Sequence, residues 1–202
     1  MVKLFYLSVL LKGASPNAST KVLSSAADVS SFGFFQRNGV REFLRFTSKM
    51  LVEKSPPASR SSVKEQTYVV HVYVRAGDNL AAVVVSDEEY PHRVAHTLLY
   101  KVLEEFTEKV PSAVWFSCAE NEAPYGKLAQ YLTLYQDPKA DAMARIQADL
   151  DDTKIILYNT ISSILERGEK LDDLVAKSED LSAQSKIFYK TARKTNQCCQ
   201  YY

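Results

Sequence analysis

Nowhere in this 202-residue chain is there a run approaching the roughly 18 consecutive apolar residues that a membrane-crossing helix needs. Cysteine is scarce. Three residues, two of them adjacent near the end, cannot make a disulfide framework, and a reducing compartment follows. An excess of one charge is missing too: at a net +1 there is no clustered basic face and no case for nucleic acid. The sequence has no G-x-S-x-G, no P-loop and no cysteine convincingly paired with a histidine, so nothing points to an enzyme. His92 and His96 stand four apart, as zinc ligands can, but "HRVAH" lacks the glutamate of H-E-x-x-H. A plain surface pair is expected, with no metal and no cofactor.

What is present is an ordinary soluble composition, 46% apolar and 24% charged, enough for one core and an appendage. The opening "MVKLFYLSVLLKGAS" has the outline of a secretory signal, but its apolar run is short and Lys12 closes it. A buried first strand is expected instead, and the "NAS" acceptor at Asn17 would matter only in a secreted chain.

The first two thirds read as an α+β unit. Lys3 to Lys12 and "TKVLSSA" are expected strands around the turn-rich "GASPNAS". A helix follows "QRNG", with Val40, Phe43, Leu44, Thr47 and Leu51 on one side, and stops before "SPPASRSS". A strand at Ser61 to Lys64, the alternating "QTYVVHVYVR", an "AGDN" hairpin and "LAAVVVSD" come next. Helices follow through Val94, Leu98, Val102 and Phe106, and through Leu128, Leu132 and Tyr135. Cys118, beside Trp115 and Phe116, reads as a small hydrophobe. The expectation is a five-stranded antiparallel sheet with three packed helices.

The period then changes. Asp137 as N-cap and Pro138 at the first helical position are a helix start. From there, steps of three and four run without a slip through Met143, Ile146, Leu150, Thr153, Leu157, Thr160, Ile164, Arg167, Leu171, Leu174, Ser178, Leu181, Ser185, Phe188 and Ala192. Of these fifteen only Arg167 is charged, against fifteen of the thirty-five residues between them, and such segregation is a coiled-coil seam. As one helix it would extend roughly 90 Å, too long for a small domain to cover. The seam therefore needs partner helices; alone, it folds back in pieces or stays disordered.

Arg167 is the odd residue of the seam. A homomeric bundle would stack arginine on arginine, so the expected partners present neutral acceptors such as glutamine and the chain does not self-assemble. The phase crosses Gly168 unbroken, which favours a continuous helix; otherwise Arg167 turns out to water and Gly168 ends the helix.

"LDDTKIILYNTISSILERGEKLDDLVAKSEDL" resembles the SNARE motif of the R-SNAREs, with Arg167 as the central-layer arginine. The preceding unit, with "SSFGFFQRNGVREFLRF" and "DEEYPHRVAHTLL", resembles the longin domain. Together with cysteines in place of a transmembrane anchor, the chain is similar to the lipid-anchored longin R-SNAREs. The resemblance implies a longin domain over residues 1–136, an R-SNARE coiled-coil motif over 137–197 and a lipidation tail over 198–202. It implies three Q-SNARE partner helices, syntaxin-like and related, which zipper with the seam to drive membrane fusion. It also implies a longin domain that folds back on the SNARE helix, with Phe43 on the contacting surface; core packing is the alternative for Phe43. The implied location is the cytosol, cycling to Golgi, endoplasmic reticulum, vesicle and endosomal membranes. A longin adaptor or tether with the helix as a regulatory arm is the alternative function.

The resemblance also gives the tail "TNQCCQYY" a role, with Cys199 prenylated and Cys198 palmitoylated. Cys199 has the spacing of a C-a-a-X box, and two lipids give the stable anchoring that one cannot. The tail departs from the family pattern, because Gln200 and Tyr201 are not aliphatic and Tyr202 is not a usual final residue. Lys186, Lys190, Arg193 and Lys194 upstream could add attraction to anionic lipid, or form the solvated face of the helix end.

Overall fold

A computed structural model describes residues 3–14, 18–136 and 154–198. Its centre is a sheet in the order β2-β1-β5-β4-β3-β6. The strands are β1 (Leu4–Leu11), β2 (Lys21–Ala27), β3 (Ser59–Glu65), β4 (Tyr68–Val74), β5 (Leu80–Asp87) and β6 (Ile155–Tyr158). The first five pair antiparallel, as their alternation and turns predict. In the β4–β5 hairpin the Arg75 N–H donates to the Leu80 carbonyl at 2.8 Å, and Gly77 supplies a φ of +91° that side chains disfavour.

Both faces of the sheet are covered, so the central strands are apolar throughout rather than half polar. All eight residues of β1 are buried. Leu7, Val9, Leu80, Ala82 and Val84 face a core under α2 (His92–Lys109), α3 (Ser112–Ser117) and α4 (Leu128–Leu134). Leu10, Ala81, Val83, Val72 and Val70 face the other way, toward Met50 and Leu51 of α1 (Arg37–Lys54). The stripe of Val94, Leu98, Val102 and Phe106 is at most 7% exposed. α1 ends where the Ser55 N–H donates to the Leu51 carbonyl at 2.9 Å, just before Pro56 and Pro57 bar a further turn.

The two sheet edges are treated differently. Along β2, the Asn121 and Ala123 N–H groups donate to the Val22 and Leu23 carbonyls at 2.7 and 2.9 Å, a strap over the edge. Along β3 the edge receives β6, which pairs in parallel from Arg60↔Ile155 to Val63↔Tyr158. The expected five-stranded sheet thus gains a sixth strand from the C-terminal segment, and the short α3 is an additional helix.

The C-terminal segment also differs from the one long helix expected of it. Among the described residues it runs as β6, a 3-10 turn (Ile161–Ser163), α5 (Leu171–Lys177) and α6 (Ala183–Cys198). Gly168 stands at φ +92° in the turn before α5, the break that the unbroken phase argued against. An apolar stripe without partner helices gains more by wrapping in pieces around the N-terminal unit than by standing in water.

Candidate functional site

The site is the outer face of α1 and the adjoining β3 edge, where the C-terminal segment docks. α1 carries a glycine in its first turn, where helix propensity disfavours one. A Cβ at Gly39 would meet Phe188 Cβ at 3.5 Å and Ser185 Cα at 3.6 Å, ordinary contact distances, so α6 lies directly over this position. One turn on, the Phe43 ring stacks on Tyr189 with centroids 5.3 Å apart and planes at 26°. The Tyr189 hydroxyl donates to Asp172 of α5 at 2.8 Å, and Arg193 pairs with the same carboxylate. Tyr189 therefore ties both C-terminal helices to α1.

Beside Phe43, the Glu42 carboxylate sits at the N-terminal end of α6. It accepts the Ser182 backbone N–H at 3.0 Å and the Ser185 hydroxyl. Ser182 Oγ in turn accepts the Ser185 N–H at 3.2 Å, a capping arrangement that starts the helix at this point. Burial acts to raise the Glu42 pKa, but the hydrogen bonds from Ser185 and Ser182 outweigh it and hold the carboxyl below its ordinary range.

Ion pairs continue the contact along α1. Lys49 meets Asp180 at 2.6 Å and Glu120 at 3.4 Å, and Lys54 meets Glu169 at 2.8 Å and Glu166 at 3.0 Å. The Lys54 pKa is raised, first by Glu169 and then, against some burial, by Glu166. On the β3 side, Glu65 accepts the Ile161 N–H at 3.1 Å.

The seam residues divide along the chain. Met143, Ile146, Leu150 and Thr153 lie outside the described residues. Leu157 is 64% exposed on β6, and Thr160 and Arg167 are exposed. From there the seam turns inward. Ile164, Leu171 and Leu174 pack against the α1-side core, Ser178 is half-buried, and Leu181 and Ser185 are buried. Phe188 and Ala192 are half-buried on α6. Two buried residues, Ile161 and Val175, lie just off the seam, so the segment is rotated in places relative to a coiled-coil register. α6 ends at Cys198, and Cys199 lies outside the described residues.

His92 and His96 do not form a surface pair. With His71 they make a cluster of all three histidines of the chain, ring centroids 5.2 and 5.5 Å from that of His71. Ser62 Oγ shares hydrogen bonds with His71 Nδ1 at 2.8 Å and His96 Nε2 at 3.0 Å. Burial, then the positive charges of Arg60 and His92, pushes His96 down to about 3. His71 is driven well down by burial first and its neighbouring histidines second. The cluster is a neutral polar knot joining β3, β4 and α2. Among the described residues no group of three His, Cys, Asp or Glu is placed to hold a metal ion.

The family resemblance offered Phe43 as a contact residue, with core packing as the alternative; Glu42, Lys49, Lys54, Glu65 and Tyr189 were not singled out. Gly39 was the one available signal, a glycine inside an otherwise good helix. A family model described as Longin, a regulated-SNARE-like domain, matches residues 29–132, and one described as Synaptobrevin matches residues 142–200. The chain is 47% identical over 199 residues to the synaptobrevin homolog ykt6 of Schizosaccharomyces pombe, covering 98% of each chain. It is 46% identical to synaptobrevin homolog YKT6 of Yarrowia lipolytica and 43% identical to that of Debaryomyces hansenii, again over 98% of both chains. Among the described residues no helix is long and apolar enough to cross a membrane.

Proposed function

The chain belongs to the synaptobrevin family of longin-type R-SNAREs, and on that premise we propose that it drives fusion in vesicular transport by zippering with three Q-SNARE helices. It works by assembly, not catalysis. The units are a longin domain over 1–136, an R-SNARE segment over 137–197 and a lipidation tail over 198–202. In the bundle the seam from Met143 to Ala192 faces the partner helices, and each Leu or Ile buried there contributes roughly 1.5–3 kcal/mol. Arg167 forms the central layer and donates to neutral glutamine acceptors, which fixes register more than it stabilises.

The observation that carries this proposal is Ser185. It is 0% exposed against α1 and hydrogen-bonded to Glu42, yet it belongs to the seam that a bundle must bury. One side chain cannot face α1 and three partner helices at once, so the fold-back is an autoinhibited, closed form. Opening it and forming the bundle are one competition. Cys199 as the prenyl site and Cys198 as the palmitoyl site supply the attachment through which zippering pulls on a bilayer, on the cytosolic face of Golgi, endoplasmic reticulum, vesicle or endosomal membranes.

Mixing the full chain with candidate syntaxin-like and related Q-SNARE helices tests the proposal. A rise in helicity and a thermally stable complex are expected, formed faster by Phe43→Glu, which sets a charge against Tyr189. No complex with any set, and no effect of Arg167 or Leu171 substitution, would favour a longin adaptor instead. Intact-mass measurement on protein from cells tests the tail separately: an unmodified full-length C-terminus refutes lipidation.

A further inference from the structure

With Phe43 covered, the most exposed aromatic side chains near the clasp are Phe34 and Phe35, at 76% and 84% exposure. They are not on a loose loop. The pair forms a 3-10 turn in which the Gln36 N–H donates to the Gly33 carbonyl at 2.8 Å. Arg37 braces the turn from behind, donating to the Phe32 and Ser30 carbonyls at 3.1 Å each, with its guanidinium 6.0 Å from the Phe34 ring centre. The two rings meet edge to face at 5.5 Å and so project together. Two neighbouring phenylalanines held rigidly in water forgo the burial that their surface favours, and such a pair marks a contact surface more strongly than scattered single residues do.

Two features of the surroundings select the partner. From Val29 to Arg41 the chain has two arginines and no acidic residue. The nearest acid before it, Asp28, is occupied by Ser30 and Lys3. On the other side, Gln184 of α6 donates to the Phe35 carbonyl at 3.0 Å. Ile187, 64% exposed, lies one turn along the same helix face, followed by exposed Lys190. Apolar tips with the exposed cations Arg41 and Lys190 on the two adjoining helices suit an anionic lipid surface, where rings enter the acyl boundary and cations meet phosphate. α6 then runs on to Cys198, so the patch is continuous with the helix that leads into the tail.

We infer that the Phe34–Phe35 turn, with Ile187 beside it, is a lipid-contacting knuckle through which the closed form rests on an anionic membrane. It needs no covalent lipid and no partner helix. Its test therefore stands apart from that of the fusion function.

Unlipidated full-length protein is sedimented with phosphatidylcholine vesicles made with and without phosphatidylserine. The wild type is expected to sediment with the phosphatidylserine vesicles, and Phe34→Ser/Phe35→Ser to lose about tenfold or more in partitioning, because two exposed rings lose their burial. Phe35→Trp retains binding, and its fluorescence shifts to the blue on those vesicles. Circular dichroism should show the double serine variant folded, since neither ring is in the core. Three results overturn the inference. The wild type fails to bind, or the double variant binds as well as wild type through α6 lysines alone, or the wild type self-associates through these rings and the variant does not.

Discussion

Replacing Glu42 by alanine should release α6 without harming the longin core. The carboxylate accepts one backbone N–H and one hydroxyl from the C-terminal segment and does not contribute to either hydrophobic cluster. Hydrogen bonds to a charged group are worth about 1.5–3 kcal/mol each when well sheltered. Glu42 is only half-buried, and water replaces part of what is lost. A net cost of about 2 kcal/mol follows, or about a thirtyfold shift toward the open form. A 16-residue helix freed from its support is marginal in water, so hydrogen exchange of the α6 amides reports the opening directly. Protection across Lys186 to Ala192 should fall about thirtyfold in Glu42→Ala while protection in β1 and β5 stays the same. Glu42→Gln, which keeps an acceptor but loses the charge, should fall between. Unchanged α6 protection in Glu42→Ala would refute the assignment of Glu42 as a clasp.

The pH dependence of this clasp has a definite sign. The folded pKa of Glu42 lies below the ordinary 4.5, so its contribution is fully present above that value and is lost as pH falls through the lowered one. The difference between wild type and Glu42→Ala should therefore be flat from roughly pH 8 to 5 and vanish in stronger acid.

At Gly39, alanine adds a Cβ at ordinary contact distance and gains helix propensity, so Gly39→Ala should leave the closed form intact and raise the melting temperature slightly. Gly39→Leu drives a long side chain into Phe188 and Ser185, and should open the protein as a larger hydrodynamic radius. The buried histidines make the longin domain acid-sensitive. Their folded pKa values lie below the unfolded 6.5, so their contribution is complete above pH 6.5 and declines below it. His96, at about 3, loses about 3 kcal/mol by pH 4. Urea unfolding at pH 7 and pH 4 checks this, and His96→Phe should flatten the slope. Arg167→Gln should leave α6 protection unchanged, because Arg167 is exposed in the closed form, yet weaken or misalign assembly with Q-SNARE helices.

The strands and the two large helices were legible in the sequence because their burial is simple. A strand covered on both faces is apolar throughout, as Val83 to Val85 show, and α2 repeats Val94, Leu98, Val102 and Phe106 on one face. β6 was hidden for a physical reason. Ile155 to Tyr158 is a β-branched and aromatic run that favours a strand, but Leu157 also keeps the seam phase, and the longer pattern dominated. Glu42 and Lys54 left no trace at all, because a clasp made of charges looks like any solvated helix face until its partner is in place. Gly39 did leave one, a glycine in the first turn of a helix, although alanine would fit beneath α6 as well.

If the segment also forms the proposed bundle, it encodes two structures, and the way they overlap sets the order of exchange. The clasp holds the later seam positions, Leu181, Ser185 and Phe188, through side chains that α1 buries or approaches closely. Among the described residues, the earlier positions Leu157, Thr160 and Arg167 bury little of their side chains. β6 has four paired residues on a sheet edge, Leu157 projects into water, and Thr160 and Arg167 are exposed. In the proposed assembly, partner helices would engage Leu157, Thr160 and Arg167 before the clasp yields. Extending that helix through Gly168 requires its φ to leave +92°, and extending it through Ser182 requires the N–H now given to Glu42. Each turn added from the N-terminal side removes a cap or a bend that the closed form depends on. The proposed assembly and the opening would then proceed in one direction, toward the cysteines.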